Sequence, residues 1–245
     1  MRNDLVTVVV PTYNERDNLP HLAAAVRLHG YRLLVVDDGS PDGTGTVADA
    51  IAAPDALMDV LHRRNKEGLG PAYAAGFDRV LAGPSEVVIE MDADFSHNPA
   101  DLPRLVAAVD EDGADLAIGS RYVPGGATPD WPVQRRFLSR GGNRYVRLML
   151  GIPIRDATAG FRAFRADALR ALPYRSAQAS GYGFQVEMAR RAHDAGLRVV
   201  EIPVVFRDRT AGTSKMNGAI VREAMWLVTR WGITRRLRRS PATAA

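Results

Sequence analysis

Glu86-Val87-Val88-Ile89-Glu90-Met91-Asp92-Ala93-Asp94 (residues 86–94) decides how the rest of the chain is read. A short apolar run, rich in β-branched residues, runs straight into two carboxylates one residue apart. Its length and composition predict a buried strand over residues 86–91. Runs of the same kind at 6–10, 32–36 and 115–119 each end in Gly, Pro or Asp. Helices are predicted between them over 18–28, 44–53, 70–82 and 98–110. Strands alternating with helices give an α/β fold, a parallel sheet covered on both faces. Ligands of such sheets bind beyond the strands' carboxyl ends. The loops at 11–15, 37–43, 92–97 and 120–126 are therefore the ones to search for chemistry.

Past residue 130 the pattern loosens. A helix is predicted over 131–150, broken at Gly141-Gly142, then a helix over 183–195. A strand over 197–206 is demoted to a sheet edge by Pro203, and a last helix covers 219–231. Ile220, Ala224, Leu227, Val228 and Trp231 share one face of that helix, with Arg222 and Arg230 opposite. Five arginines and no acid fall between Arg230 and Arg239. An amphipathic helix followed by a basic tail is expected to lie on an anionic membrane surface. An ordinary helix packed on the domain fits the same pattern.

Of the 245 residues, 46% are hydrophobic and 24% charged, which excludes a disordered chain, a collagen-like repeat and a polytopic membrane protein. There is no cysteine, so disulfides, thiol catalysis, zinc–cysteine sites and iron–sulfur clusters are excluded. The net charge is 32 − 28 = +4. No signal peptide and no membrane-spanning run of about 18 apolar residues is read, so a cytoplasmic protein, peripheral on the inner face of the cell membrane, is expected.

Asp92 and Asp94 can share one hard cation, and oxygen-only ligands select Mg²⁺ or Mn²⁺. Taken alone, such a pair is more often a solvated loop. Asp37-Asp38-Gly39-Ser40 is a second acidic strand end, suited to a ribose hydroxyl or a base edge; Ser40, Asp42 and Thr44 could equally cap the helix that follows. Gly43-Thr44-Gly45-Thr46-Val47-Ala48 matches a dinucleotide pattern, but aspartates stand where pyrophosphate would meet bare amides, so a dehydrogenase is disfavoured. Arg121 reaches the same rim as the acids, either as an ion-pair partner or as a phosphate grip. Arg209 and Lys215 bracket a glycine-containing loop that reads as a phosphate clamp or a plain surface loop. His21, His29, His62, His97 and His193 show no metal-ligand spacing and read as surface or packing residues, His97 alone lying near the candidate site.

Together, Val9-Val10-Pro11-Thr12-Tyr13-Asn14-Glu15 and Val35-Val36-Asp37-Asp38-Gly39-Ser40 resemble family 2 glycosyltransferases of GT-A (Rossmann-like) fold. Lys66-Glu67-Gly68-Leu69-Gly70, Glu90-Met91-Asp92-Ala93-Asp94, Ile118-Gly119-Ser120-Arg121-Tyr122, Asp156-Ala157-Thr158-Ala159-Gly160-Phe161-Arg162, Gly181-Tyr182-Gly183-Phe184-Gln185 and Gly212-Thr213-Ser214-Lys215-Met216 extend the resemblance to the polyprenol (dolichol) monophosphate mannose synthases. The resemblance covers roughly residues 5–220. It implies a transferase domain over 1–218, with a nucleotide-sugar half to about 115 and an acceptor half after it, then a helix and tail over 219–245.

Carried over residue by residue, the resemblance puts Pro11, Tyr13, Glu15, Val35 and Asp37 at the guanosine of GDP-mannose. Asp92, Ala93 and Asp94 fall at the ribose, the metal and the diphosphate, with Asp92 and Asp94 as metal ligands. Arg121, Arg209 and Lys215 fall at phosphates, and Arg135 and Ser139 at the acceptor phosphate. Ser96 stands where some relatives supply a glutamine ligand, so water is expected there. Asp94 and Arg121 are the residues expected to carry catalysis. The implied partners are GDP-mannose, a polyprenyl monophosphate and a membrane surface, with room for an integral-membrane partner protein and none for nucleic acid. Other donors such as UDP-glucose, or another acceptor, stay open. A nucleotidyltransferase is disfavoured because the first loop, 11–15, is acidic. A nucleic-acid binder would rest on the arginine tail alone.

Overall fold

The computed structural model of the chain describes residues 1–179, 181–208 and 218–239. Along these run β1 (Val6–Thr12), α1 (Leu19–Arg27), β2 (Arg32–Asp37), α2 (Thr44–Ala52), β3 (Met58–His62), α3 (Leu69–Leu81), β4 (Val87–Glu90) and α4 (Leu102–Asp110). Then follow β5 (Leu116–Ser120), α5 (Val133–Leu150), β6 (Arg162–Arg165), α6 (Ala166–Ala171), α7 (Tyr182–Asp194), β7 (Val199–Pro203) and α8 (Gly218–Arg239). The strands form a seven-stranded sheet in the order β3-β2-β1-β4-β6-β5-β7. All neighbours are parallel except β6, which runs against both β4 and β5.

Alternation along β1 explains the layering. Val9 points into a core with Val36, Val88, Tyr73, Phe77, Phe164 and Phe184, under α3 and α7. Val8 and Val10 point the other way, to Leu22, Val26, Leu105 and Val109 of α1 and α4. A strand buried on both faces reads as an unbroken apolar run, and that is what made these strands visible in the sequence. Gly76 lets α3 sit close on the sheet: a Cβ there would lie 2.6 Å from a Val9 methyl.

β3 and β6 have no counterpart among the predicted strands. β3 is an edge strand whose single well-buried residue is Met58. β6 (Arg-Ala-Phe-Arg) begins with an arginine that is fully buried, a composition that hides a strand. Because it is antiparallel, β6 presents its entry loop, 156–161, to the rim where the parallel strands present their exits. β7 lies at the sheet edge, as Pro203 predicts.

Two helices depart from expectation. α5 is continuous through Gly141 and Gly142, where an added Cβ would meet nothing within 4 Å. Their cost of roughly 1 kcal/mol each is outweighed by packing at Asn143, Val146 and Leu150. α8 does not stop at Trp231 but runs on to Arg239. It crosses α5 closely at Gly232, whose Cβ would lie 2.7 Å from the Met149 carbonyl. At Leu227, Val228 and Trp231 the face expected to meet a membrane is instead turned inward, while the Ile220 side chain lies outside the described ones. Leu227 and Val228 are buried and Trp231 packs on the core, because α5 and α7 already offer that face an apolar surface. Among the described side chains of α8, Met225, Trp226, Ile233 and Leu237 are apolar and exposed. Among the described residues, no helix is long and apolar enough to cross a membrane.

Candidate active site

The rim at the carboxyl ends of β1 and β2 is laced by short polar residues. The Thr12 hydroxyl donates to Asp37 Oδ1 at 3.1 Å, and the Ser40 amide and hydroxyl donate to the same carboxylate at 3.1 and 2.5 Å. Asn14 N donates to the Ser40 hydroxyl and Glu15 N to the Thr44 hydroxyl, tying loop 11–15 to loop 37–43. Asp42 caps α2 by accepting from Thr44 N at 2.9 Å. Thus one aspartate caps while Asp37 stays at the rim. Asp38 pairs with Arg63 at 2.5 Å; its burial raises its pKa, with Arg63 opposing. Pro11 and Glu15 are half-buried beside Tyr13, whose ring carries the Lys66 ammonium 4.0 Å from its centroid. Val35 is fully buried in the α1 layer, so its side chain is spent on the core.

At the exit of β4 the backbone is strained in a useful way. Phe95 takes φ +60°, a left-handed conformation that aromatic residues rarely adopt. The kink turns Asp92 and Asp94 up to the rim while Ala93 is buried beneath. Ser96 N donates to Asp94 Oδ1 at 3.1 Å, and Asp92 N donates to His97 Nδ1 at 3.3 Å. His97 stacks on Phe161 with centroids 5.0 Å apart, and its burial lowers its pKa. An imidazole accepting at Nδ1 is neutral and carries its proton on Nε2. His97 is thus a packing residue that also fixes the Asp92 backbone.

The Asp92 side chain is partly exposed, whereas Asp94 is buried. Two carboxylates at one strand end fit Mg²⁺ or Mn²⁺ in donor chemistry. Among the described residues no group of three His, Asp or Glu side chains is disposed around a metal position. Ser96 is buried next to the pair.

Beneath this turn is a polar cluster the sequence did not betray. Glu90 is fully buried; burial pushes its pKa up to about 7, Arg162 and the Gln185 amide oppose, and Asp92 adds to the rise. Among the described residues, neither Glu90 oxygen, nor the Tyr73 hydroxyl, nor the Gln185 side-chain amide has a hydrogen bond of good geometry. Arg162, cross-strand from Glu90, donates to the carbonyls of Ala157, Ala159 and Gln185. The cross-strand register could have revealed this pair, had β6 been recognised.

On the β5 side, Arg121 is locked to Asp156. Nε and Nη2 donate at 2.7 and 2.6 Å, Nη2 also reaches the Thr158 hydroxyl at 2.7 Å, and the backbone amide of Arg121 adds a bond at 2.9 Å. Burial alone would raise the Asp156 pKa, but Arg121 holds it below the usual range. Arg121 was expected to grip phosphate; its bidentate edge is spent on this carboxylate, since a buried guanidinium must be paired. Arg135 is more available. It sits 4.0 Å over the Trp131 ring and pairs with Asp208 at 2.7 Å, both partners being partly exposed. Ser139 accepts from the Tyr122 hydroxyl at 2.6 Å, which joins the loop after β5 to α5. Arg209 and Lys215 lie outside the described residues.

The rim therefore brings together Pro11, Tyr13, Glu15 and Asp37 on one side, Asp92 and Asp94 in the middle, and Arg121, Arg135 and Ser139 on the other. A cavity of about 330 Å³ among Arg32, Met58, Arg79 and Ser85 opens at the opposite end of the sheet.

Comparison with known proteins agrees with this architecture. The model of the family described as glycosyl transferase family 2 matches residues 7–172. A polyprenol monophosphomannose synthase of Mycolicibacterium smegmatis is 51% identical over 95% of this chain and 89% of its own. An undecaprenyl-phosphate mannosyltransferase of Micrococcus luteus is 50% identical over 94% of this chain and 95% of its own. Among solved structures, the glucosyl-3-phosphoglycerate synthase of Mycobacterium tuberculosis with UDP superposes with a TM-score of 0.65 at 20% identity, covering 94% of this chain and 79% of that one. A mannosyltransferase of Pyrobaculum calidifontis with GDP-Man and Mn²⁺ gives a TM-score of 0.59 at 18% identity, covering 99% and 66%. These two likenesses identify the fold as GT-A. The family match and the two close relatives place the chain: it belongs to glycosyl transferase family 2.

Proposed function

We propose that the chain transfers mannose from GDP-mannose to a polyprenyl monophosphate, with inversion, giving a polyprenyl β-mannosyl phosphate. The observation that carries the reading is the placement of Asp92 and Asp94 midway along one rim. Loops 11–15 and 37–43 form a polar shelf on one side, and Arg135 and Ser139 stand on the other. The names of the two half-identical relatives support the acceptor and the sugar. The GDP-Man and Mn²⁺ of the Pyrobaculum neighbour support the donor and the metal class.

In this reading Asp37 and Tyr13 hold the nucleoside, and Asp92 and Asp94 hold Mg²⁺ or Mn²⁺. A bound divalent ion would neutralise charge building on the leaving diphosphate. Arg135 exchanges the exposed carboxylate of Asp208 for the acceptor phosphate. Ser139, oriented by the Tyr122 hydroxyl, adds a contact there. Arg121 acts through position: paired with Asp156, it fixes the loop after β5. Arg209 and Lys215 are assigned to the diphosphate by resemblance. The nucleophile is a phosphate oxygen. With a second pKa of about 6, that phosphate is mostly dianionic at neutral pH and needs no general base. His97, buried and holding the Asp92 amide, has no base role to fill. Direct displacement inverts the anomeric carbon.

The acceptor is a membrane lipid, so the enzyme works as a peripheral protein on the cytoplasmic face. α5 and α8 carry the exposed apolar side chains that suit it, Phe137 (74% exposed), Leu138 (69%) and Trp226 (60%). The test is transfer of radiolabel from GDP-mannose into organic extract with a polyprenyl phosphate and Mg²⁺ or Mn²⁺. Parallel UDP-glucose reactions decide the donor. Label that stays water-soluble with GDP-mannose overturns the reading.

A further inference from the structure

An open cavity of about 350 Å³ lies between the loop after β5 and the outer face of α5. Its lining includes Arg140, Arg144, Arg147 and Arg155, with Tyr122 and Arg121 at the inner end. Arg140, Arg144 and Arg147 stand at i, i+4 and i+7 on α5, so one helix face presents all three. Arg155 arrives from the loop that leaves the helix. All four are exposed, and Arg140 lies over the Tyr122 ring, 5.7 Å from its centroid.

What sets them apart is the missing countercharge. Elsewhere this chain pairs its arginines readily: Arg27 with Asp55, Arg79 with Asp59, Arg165 with Asp115. No carboxylate pairs with Arg140, Arg144, Arg147 or Arg155 among the described residues. The two acids beside Arg155 are committed. Asp156 is held by Arg121, and Glu201 accepts the backbone amides of Arg155 and Asp156 at 2.8 and 2.9 Å. Four guanidinium groups around one concavity repel each other, and an anion bound among them relieves that. Guanidinium forks match phosphate oxygens.

The surroundings say which phosphate. Phe137 and Leu148, three and four residues from Arg140 and Arg144 on the same helix, are 74% and 64% exposed and flank the arginines. A soluble phosphate has no use for an apolar rim; a phospholipid has both a charged head and chains to set against it. We infer that the Arg140–Arg144–Arg147–Arg155 cavity is a binding site for the phosphate head of an anionic phospholipid, separate from the acceptor-phosphate position at Arg135 and Ser139. It rests on the proposed membrane acceptor only in placing α5 at the bilayer, and its main readout, vesicle binding, needs no transfer reaction.

The experiment is flotation of the full chain with phosphatidylcholine vesicles, with and without phosphatidylglycerol. It compares the wild type, an Arg144→Gln/Arg147→Gln variant and an Arg104→Gln/Arg170→Gln control that removes equal charge elsewhere. The expected result is a loss of roughly tenfold or more in partition to phosphatidylglycerol vesicles for the site variant, with the control close to wild type. Transfer to a detergent-dispersed acceptor is expected to be unchanged in both variants, which also shows that they fold. Equal loss in both variants means bulk charge and overturns the inference, as does unchanged binding in the site variant. Release of wild type from vesicles by millimolar inorganic phosphate, at matched ionic strength with chloride, would make free phosphate the ligand. A single-stranded RNA oligonucleotide that needs Arg144 and Arg147 while vesicle binding does not would also overturn it. Loss of transfer in detergent would move these arginines into the acceptor site instead.

Discussion

Arg121 and Asp156 form a closed fork: Nε and Nη2 of one reach the two carboxylate oxygens of the other at 2.7 and 2.6 Å, and the arginine's own amide adds a third bond. The pair ties the exit of β5 to the entry loop of β6. Asp156→Ala removes the carboxylate partner of a buried guanidinium and is expected to cost about 3–5 kcal/mol, read by denaturant unfolding. The pH dependence has a definite sign. The Asp156 pKa is depressed in the folded state, so its stabilisation is present above the unfolded value of 3.8 and is lost as pH falls through the lower folded value. Asp156→Asn is expected to unfold with a shallower acid limb below about pH 4 than the wild type.

Asp94→Asn is expected to lower the transfer rate by at least about 100-fold, since in the proposed reaction residue 94 supplies one charged ligand of the cation. Asparagine can still accept from Ser96 N, so circular dichroism and the melting temperature should stay near wild type. A near-normal rate in this variant removes the metal role of residue 94.

Chelation separates chemistry from folding. The turn at 92–97 is held by hydrogen bonds from the Ser96 amide to Asp94 and from the Asp92 amide to His97. Removal of divalent cations with EDTA is therefore expected to abolish transfer while shifting the melting temperature little. Mg²⁺ or Mn²⁺ should restore the rate; full activity in chelator would exclude a required metal.

Gly76 tests the seat of α3. Its Cβ would lie 2.6 Å from Val9 Cγ1 and 3.1 Å from Val36 Cγ2. Gly76→Ala is expected to destabilise by about 1–3 kcal/mol through overpacking, measured by urea unfolding. Gly141→Ala, with open space around it, should stabilise by roughly 0.5–1 kcal/mol.

β1, β2, β4 and β5 were legible because each is buried on both faces and reads as an apolar run. β3 was not, since Asp59 and His62 interrupt it at an exposed edge. β6 was not, because Arg162 is buried by bonding to three carbonyls, those of Ala157 and Ala159 in its own entry loop and that of Gln185 in α7, a solution that only the tertiary structure supplies. Asp37, Asp92 and Asp94 could be picked out by their place just past strand ends. The fate of Arg121 could not: whether a rim arginine meets a ligand or a neighbour depends on Asp156, which lies 35 residues away. The inward turn of Leu227 and Val228 was likewise hidden, for amphipathicity shows that a helix has an apolar side and not what covers it.

The reversed strand β6 also acts as a gauge. It inserts one extra ribbon between β4, which delivers the aspartates, and β5, which delivers the loop toward Arg135 and Ser139. Two inter-strand spacings set those exits about 9–10 Å apart. That span belongs to the backbone, so point changes on the rim can loosen either grip without altering the stride between them. Adapting the framework to a bulkier or smaller transferred group would then fall to the loops above the sheet, not to the sheet itself.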